Sequence, residues 1–152
     1  EFMAQIVGIS IKENKRSLMK AVITSIDVTV ESGLKGDFRG QRGINRNRQV
    51  TVLSIQQWEQ VCRELGVSLP WDMRRANLCV DGLTFGPDDV GKILRIGKDI
   101  ELEITGETKP CERMDEACSG LKKVLSIEWR GGVTCRVIKG GVAYLNSSVQ
   151  LI

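Results

Sequence analysis

The sequence predicts a mainly β domain with two helices, of the α+β class and with a β-barrel-like architecture. Short runs of alternating apolar and polar residues recur along the chain between glycine-containing turns, and only two segments carry apolar residues at helical spacing. Many short strands joined by such turns are typical of a barrel. At 152 residues the chain has the length of one domain, which we expect over residues 3–152.

The first third of the chain is predicted to be largely β. Residues 22–30 alternate between apolar and polar, which indicates a half-buried strand. Residues 5–11 repeat this pattern and place Val7 on the same face as Ile9. Residues 49–53 form a third, β-branched run.

A basic, glycine-rich loop is predicted between these strands, at residues 33–49. It contains four glycines, five basic residues and one acid, so its net charge is +4 whereas that of the whole chain is +3. The basic residues are Lys35, Arg39, Arg42, Arg46 and Arg48. Guanidinium groups and glycine-freed backbone amides suit a phosphate or another oxyanion. A solvated basic loop, or an RNA-binding segment with Phe38 as its stacking surface, is the alternative.

Two helices are predicted in the rest of the chain. Ser54 and Gln57 form a capping-box pattern that begins a helix, and Gly66 ends it. A second helix is expected over residues 108–125, with Pro110 near its start. Further strands are predicted at residues 78–80, 93–96, 100–105, 133–137, 142–145 and 149–152.

The absence of histidine excludes several kinds of site. Without an imidazole there is no Ser-His-Asp triad, no Cys-His pair and no histidine-ligated metal. The five cysteines are an odd number without a Cys-x-x-Cys spacing, which favours reduced thiols in a cytoplasmic protein. No signal segment or membrane span is expected, and Glu1 and Phe2, ahead of Met3, have the form of a cloning remnant.

Cys111 is the cysteine that the sequence singles out as reactive. It follows Pro110, precedes Arg113 and falls in the first turn of the predicted second helix. The partial positive charge of a helix N-terminus and a nearby guanidinium both favour the thiolate, which attacks sulfur or binds a soft metal. A half-buried structural thiol is the alternative at this position. The other cysteines have apolar neighbours and are expected to pack in the core: Cys62, Cys79, Cys118 and Cys135.

The order of several motifs resembles the MOSC family, named for the C-terminal domain of molybdenum-cofactor sulfurases and also found alone in bacteria. The resemblance spans most of the chain. It rests on Gly-Leu-Lys-Gly-Asp at 33–37, Arg-Gln-Val-Thr-Val-Leu at 48–53, Arg-Arg-Ala-Asn-Leu-Cys-Val-Asp-Gly at 74–82, Leu-Arg-Ile-Gly at 94–97, Leu-Glu-Ile-Thr-Gly at 102–106 and Pro-Cys-Glu-Arg at 110–113.

This resemblance implies a barrel-like fold and a cysteine that carries sulfur as a persulfide or contacts molybdenum in a bound molybdopterin. By position that residue is Cys111, as catalytic group and as metal ligand. The implied cofactor-binding residues are Lys35, Arg39, Arg42, Arg74, Arg75, Asn77 and Arg113.

The implied function is that of a sulfur carrier for a molybdenum-cofactor or metal-sulfur centre, a sulfurtransferase-type activity. The resemblance implies a cysteine desulfurase as sulfur donor, with pyridoxal phosphate on that partner rather than on this chain, and a metal-sulfur or molybdenum enzyme as acceptor. One alternative is a molybdenum-dependent reductase of N-oxygenated compounds with Cys111 as metal ligand. Another is a non-catalytic anion- or nucleic-acid-binding module, although nucleic acid is not an expected partner.

Overall fold

The centre of the fold is a closed β-barrel of seven strands, seen in a computed structural model that describes residues 3–41 and 46–152. The predicted mainly β, barrel-like α+β class is confirmed. The strands are β1 (Ala4–Ile11), β2 (Lys20–Ala21), β3 (Ser25–Thr29), β4 (Gly33–Leu34), β5 (Val50–Ser54), β6 (Leu78–Asp81), β7 (Ile93–Ile96), β8 (Ile100–Glu107), β9 (Val133–Lys139), β10 (Gly141–Tyr144) and β11 (Ser148–Leu151). The helices are α1 (Phe38–Gln41), α2 (Ile55–Leu65), α3 (Glu112–Ala117) and α4 (Leu121–Leu125).

The barrel strands run in the order β11, β7, β8, β9, β5, β6 and β1, and the barrel closes where Ala4 of β1 pairs with Val149 of β11. Neighbouring strands are antiparallel except for β5 and β6, which are parallel. A parallel pair needs a long connection, and α2 supplies it. Strands β10, β3 and β4 form a separate three-stranded sheet.

Two apolar clusters stabilise this arrangement. The larger one fills the barrel with side chains from nearly every strand, among them Ile6, Leu78 and Leu102. The smaller one lies outside the barrel under α2 and α4, around the buried Trp58. The indole of Trp58 also donates a 2.9 Å hydrogen bond to the carbonyl of Leu69, which fixes the chain just before a short 3₁₀-helix at Trp71–Arg74.

Helix α2 begins and ends where the sequence predicts. The Ser54 hydroxyl accepts a 3.3 Å hydrogen bond from the amide of Gln57, and Gly66 ends the helix in the left-handed conformation. The Gln57 side chain does not complete the capping box, because its amide group pairs with the backbone of Phe85. Of the two hydrogen bonds in the predicted capping box, the one that Ser54 accepts forms. The contact of Gln57 with Phe85 takes the place of the other.

Val7 does not share a face with Ile9, contrary to the sequence prediction. The pairing of β1 with β6 shifts register between Ile6 and Gly8, so that an extra residue sits on β1. Val7 is consequently exposed, whereas Ile6 and Ile9 are buried. A bulge changes the alternation of faces, and an alternating pattern alone does not reveal it.

The single helix predicted over residues 108–125 is also wrong. The segment forms two short helices, α3 and α4, separated by an extended Cys118 and a left-handed Gly120 with φ of 86°. Four α-helices rather than two therefore occur in the described ranges. Cys111 is the N-cap of α3, one residue before its first turn, and Pro110 precedes the helix.

Two further stretches differ from their predictions. The strand expected from residue 22 begins at Ser25, because the amide of Val22 pairs with the carbonyl of Ile9 in β1 instead. The predicted structureless loop contains β4, α1 and a 3₁₀-helix at Arg46–Arg48. The remaining strands occur where predicted, with small shifts at their ends. No helix in the part of the chain that the structure describes is long and apolar enough to span a membrane.

Candidate functional site

Cys111 presents its thiol to solvent. It is exposed, whereas Cys118 is partly buried and the other three cysteines are buried, and all five are free thiols. Its backbone is extended, and its carbonyl accepts a 2.9 Å hydrogen bond from the amide of Met114, which begins α3. A reagent or ligand can therefore reach Cys111 directly.

The thiol lies at a pocket of about 230 Å³ with a strongly cationic wall. Five arginines and one lysine line it: Arg39, Arg48, Arg74, Arg75, Arg113 and Lys109. No aspartate or glutamate is among the described residues of this wall. So many cations around one cavity favour an anionic ligand. We call this cavity the arginine pocket.

The charges of the arginine pocket are partly withdrawn from water. Burial lowers the pKa of Arg39, and the neighbouring Arg48 lowers it further. Burial also lowers the pKa of Arg74 to about 10; Arg48 acts in the same direction, and Cys111 acts against it. Lys12 does not line the pocket, but its pKa is lowered too, first by burial and then by the pocket residue Arg75. An anion in the pocket would relieve this mutual repulsion.

Arg74 connects the segments that surround Cys111. Its side chain is buried, with 5% exposure, and its Nε donates to the carbonyl of Gly131 at 3.1 Å. Its Nη2 donates to the carbonyl of Thr108 at 2.6 Å, and Nη1 lies 3.9 Å from the sulfur of Met114. Arg74 thus fixes both flanks of the Cys111 segment.

Arg75 and Arg113 are the more exposed guanidinium groups of the pocket compared with the buried Arg74. Arg75 is half-buried and follows the 3₁₀-helix with a left-handed backbone, φ 67°. Arg113 is exposed in the first turn of α3. Both guanidinium groups are therefore placed to reach a ligand that enters from solvent.

A buried pair, Asp37 and Asn77, fixes the helix that carries Arg39. Asp37 accepts hydrogen bonds from the amides of Lys12 (2.9 Å) and Gly40 (3.3 Å) and from the Nδ2 of Asn77 (3.1 Å). The carbonyl oxygen of the Asn77 side chain accepts from the amide and hydroxyl of Thr51, at 3.0 and 3.2 Å. Asn77 and Asp37 are 5% and 1% exposed, so the pair orders the structure around the site from within.

Residues 37–150 match the model of the MOSC domain. The chain belongs to the MOSC domain family. Among solved structures it is similar to the YuaD protein of Bacillus subtilis, at 19% identity and a TM-score of 0.79, over 99% of this chain and 96% of that one. It is also similar to YiiM of Geobacillus stearothermophilus, at 18% identity and a TM-score of 0.76, over 98% and 75% of the two chains.

YiiM of Escherichia coli is a more distant structural relative, at 19% identity and a TM-score of 0.69, over 97% of this chain and 69% of that one. Identities this low show a shared fold. Comparison with the curated proteins gives no significant match.

This MOSC domain brings together five of the residues singled out from the sequence: Cys111, Arg39, Arg74, Arg75 and Arg113. Lys35 is exposed and is not part of the pocket wall, and Asn77 is engaged in the interior. Arg42 lies outside the described residues. The individual roles assigned to these residues remain predictions.

Sequence reasoning missed two cations of the arginine pocket. Arg48 was counted only as part of the loop charge, although it stands two positions before β5 begins at Val50. Lys109 stands two positions before Cys111, and this proximity was the one available signal. No group of three or more Cys, Asp or Glu side chains suited to a metal occurs in residues 3–41 and 46–152.

Proposed function

We propose that this MOSC domain binds a molybdenum cofactor in the arginine pocket, with Cys111 as the thiolate that faces the metal. The observation that supports this is the exposed Cys111 thiol beside six cationic side chains, without a carboxylate in the described wall. A phosphate-bearing cofactor with a soft metal centre matches both halves of such a site.

The residues present fit this group chemically. Arg74 is a buried guanidinium whose pKa is lowered, first by burial and then by Arg48, while Glu107, outside the described pocket wall, acts in the opposite direction. Guanidinium groups bind phosphate through paired N–H donors. One protein thiolate would be enough for the metal, because the pterin would supply the other sulfur ligands. When bound, the group would supply two-electron redox chemistry.

Each residue of the site then has a distinct role. Arg39, Arg48 and Lys109, which line the pocket, would bind the phosphate of the cofactor, and Cys111 would offer its sulfur to the metal. Arg74 holds the Cys111 segment through the carbonyl of Thr108. With a substrate that carries an oxygenated nitrogen, this arrangement corresponds to the reductase alternative of the sequence analysis.

Molybdenum and pterin content test this proposal. We expect wild-type protein, incubated with cofactor released from a molybdenum enzyme, to retain both. Cys111→Ser should lose molybdenum, and the double variant Arg39→Ala, Arg48→Ala should lose pterin and metal together. Cys118→Ser is the matched control, because Cys118 lies outside the pocket wall and should leave both contents unchanged. Wild-type protein that retains neither would contradict cofactor binding.

A second candidate function, that of a sulfur carrier, is favoured by the isolation of Cys111. No other cysteine belongs to the described pocket wall, so a persulfide formed there has no neighbouring thiol to reduce it. In this step the Cys111 thiolate attacks the terminal sulfur of a donor persulfide. A new S–S bond forms at Cys111 as the donor's S–S bond breaks, and the donor leaves as a thiolate, with its pyridoxal phosphate on the partner.

Intact mass after incubation with a cysteine desulfurase and cysteine tests this candidate. One added sulfur atom, about 32 Da, is expected on Cys111 and not on the Cys111→Ser protein. Transfer of that sulfur to a metal-sulfur or molybdenum acceptor is the next step to measure. Absence of both the adduct and the cofactor would favour an anion-binding module, and salt-dependent binding of RNA would then identify a nucleic-acid partner.

A further inference from the structure

A second cavity, of about 300 Å³, adjoins the arginine pocket. The two share Arg75, Arg113 and Met114 in their walls. The rest of the second cavity is mainly apolar, and Asp72 is its one carboxylate among the described lining residues. The apolar residues are Leu18, Met19, Pro70, Met73 and Ala117. We call this cavity the methionine lobe.

The methionine lobe differs from the arginine pocket in the ligand that it suits. Methionine side chains adapt to irregular apolar shapes and make favourable contacts with aromatic rings. A volume of about 300 Å³ is at the lower end of the range for small-molecule pockets. The lobe therefore has room for one ring or a short branched chain.

Charge is distributed along the two cavities in a definite order. The shared Arg75 and Arg113 stand at the junction, the other cations line the Cys111 side, and the apolar wall extends away from them. A ligand that fills the lobe thus places its anionic end at the junction, beside Cys111. Elsewhere in the lobe an anion would meet only apolar side chains and the carboxylate of Asp72, and the guanidinium groups would stay unpaired.

The local backbone places Arg75 at this junction. Its φ of 67° is left-handed, and its amide donates a 2.9 Å hydrogen bond to the carbonyl of Asp72, which ends the 3₁₀-helix at Trp71–Arg74. The side chain that follows this cap lines both cavities.

We propose that the methionine lobe binds the apolar body of the substrate, a small organic anion whose phosphate or carboxylate pairs with Arg75 and Arg113. This inference rests on the proposed function, because it places the substrate beside Cys111 and the cofactor that we propose to bind there. It adds the substrate class: an amphipathic anion with an aromatic or branched aliphatic body.

Protection of Cys111 against iodoacetamide tests the lobe, with inorganic phosphate and phenyl phosphate as probes. Both should slow alkylation, since both occupy the arginine side. Phenyl phosphate should reach half-protection at about tenfold lower concentration, because its ring becomes buried in the lobe. If both probes reach half-protection at the same concentration, the methionine lobe does not bind the ring and this proposal is overturned. Anion binding in the arginine pocket would still stand. If neither probe protects Cys111, the arginine pocket does not bind anions, and the proposed function is contradicted as well.

A matched pair of variants locates the effect. Leu18 and Ile23 are both highly exposed, at 87% and 80%, but only Leu18 lines the lobe. Leu18→Glu should reduce the advantage of phenyl phosphate to about twofold or less, because it places a carboxylate beside the ring. Ile23→Glu should retain the full advantage. An unchanged advantage in Leu18→Glu, or an equal loss in Ile23→Glu, would overturn the proposal.

Discussion

The guanidinium of Arg74 donates a 2.6 Å hydrogen bond to the carbonyl oxygen of Thr108. Its Nε reaches the carbonyl of Gly131 at 3.1 Å, so one buried side chain holds two segments together. Cys111 follows three residues after Thr108. The position of the exposed thiol is therefore set by a residue of the 3₁₀-helix at Trp71–Arg74.

Replacement of Arg74 should weaken the fold and the site together. Arg74→Met leaves the buried carbonyls of Thr108 and Gly131 without their donor, at a cost of about 2–4 kcal/mol in the free energy of unfolding. Urea unfolding measures this cost. Lys35→Met, at an exposed position, is the control and should change stability by less than about 0.5 kcal/mol. Equal stabilities of the two variants would show that the hydrogen bonds from Arg74 to Thr108 and Gly131 do not stabilise the fold.

Gly131 should not tolerate a side chain. A Cβ there would lie 2.7 Å from the carbonyl oxygen of Thr108 and 3.1 Å from Nη2 of Arg74. Gly131→Ala is expected to destabilise the protein by about 1–3 kcal/mol. Gly86→Ala is the matched control, since a Cβ at Gly86 meets nothing within 4 Å. Thermal unfolding of the two variants distinguishes crowding at Gly131 from a general effect of alanine.

Alkylation of the native protein should begin at Cys111. It is the exposed cysteine, Cys118 is partly buried, and Cys62, Cys79 and Cys135 are buried. With iodoacetamide, peptide mapping should find the first adduct on Cys111 and a slower one on Cys118. Cys111→Ser should remove the fast reaction and Cys118→Ser should keep it. A first adduct on any buried cysteine would show that the fold opens more readily than this packing implies.

Arg75→Gly should weaken anion binding without lowering the stability of the fold. Glycine adopts the left-handed backbone of this position without strain, so the free energy of unfolding should stay within about 0.5 kcal/mol of the wild type or rise. The loss of one cation from the junction should weaken protection of Cys111 by phosphate several-fold. Arg75→Lys keeps the charge and should retain most of the protection. Full protection in Arg75→Gly would show that this guanidinium is not used for anion binding.

Alkaline pH should destabilise the protein through Cys79. Burial, aided by Asp81 and Glu59, raises the pKa of Cys79 to about 12 from an ordinary value of 9.0. The unfolded chain therefore ionises first, and stability present below about pH 9 is lost as the pH rises toward 12. This contribution falls by at most about 1.4 kcal/mol per pH unit.

Cys79→Ala should remove this contribution, so its stability should approach that of the wild type as the pH rises. Urea unfolding under reducing conditions between about pH 8 and pH 10.5 measures the difference. Leu78→Ala, at a neighbouring buried position without a titratable group, should differ from the wild type by a constant amount. A constant difference for Cys79→Ala as well would contradict the raised pKa of Cys79.

The sequence by itself determined the barrel class, most of the strands and the limits of α2. These features depend on local alternation, on the Ser54 cap and on Gly66, which act within a few residues of the chain. It also identified Cys111, because a cysteine between Pro110 and a charged turn stands apart from four cysteines with apolar neighbours.

Only the tertiary structure decided how the site is assembled. The bulge at Val7, the break at Gly120 and the capture of the Gln57 side chain by Phe85 arise from pairing between distant segments. For the same reason Arg74 and Asn77, although close together in sequence, have different roles. Arg74 donates to the carbonyl of Thr108 beside the pocket, whereas Asn77 pairs with Asp37 in the interior. Local patterns specify which elements form, whereas the register of the closed barrel decides which side chains meet.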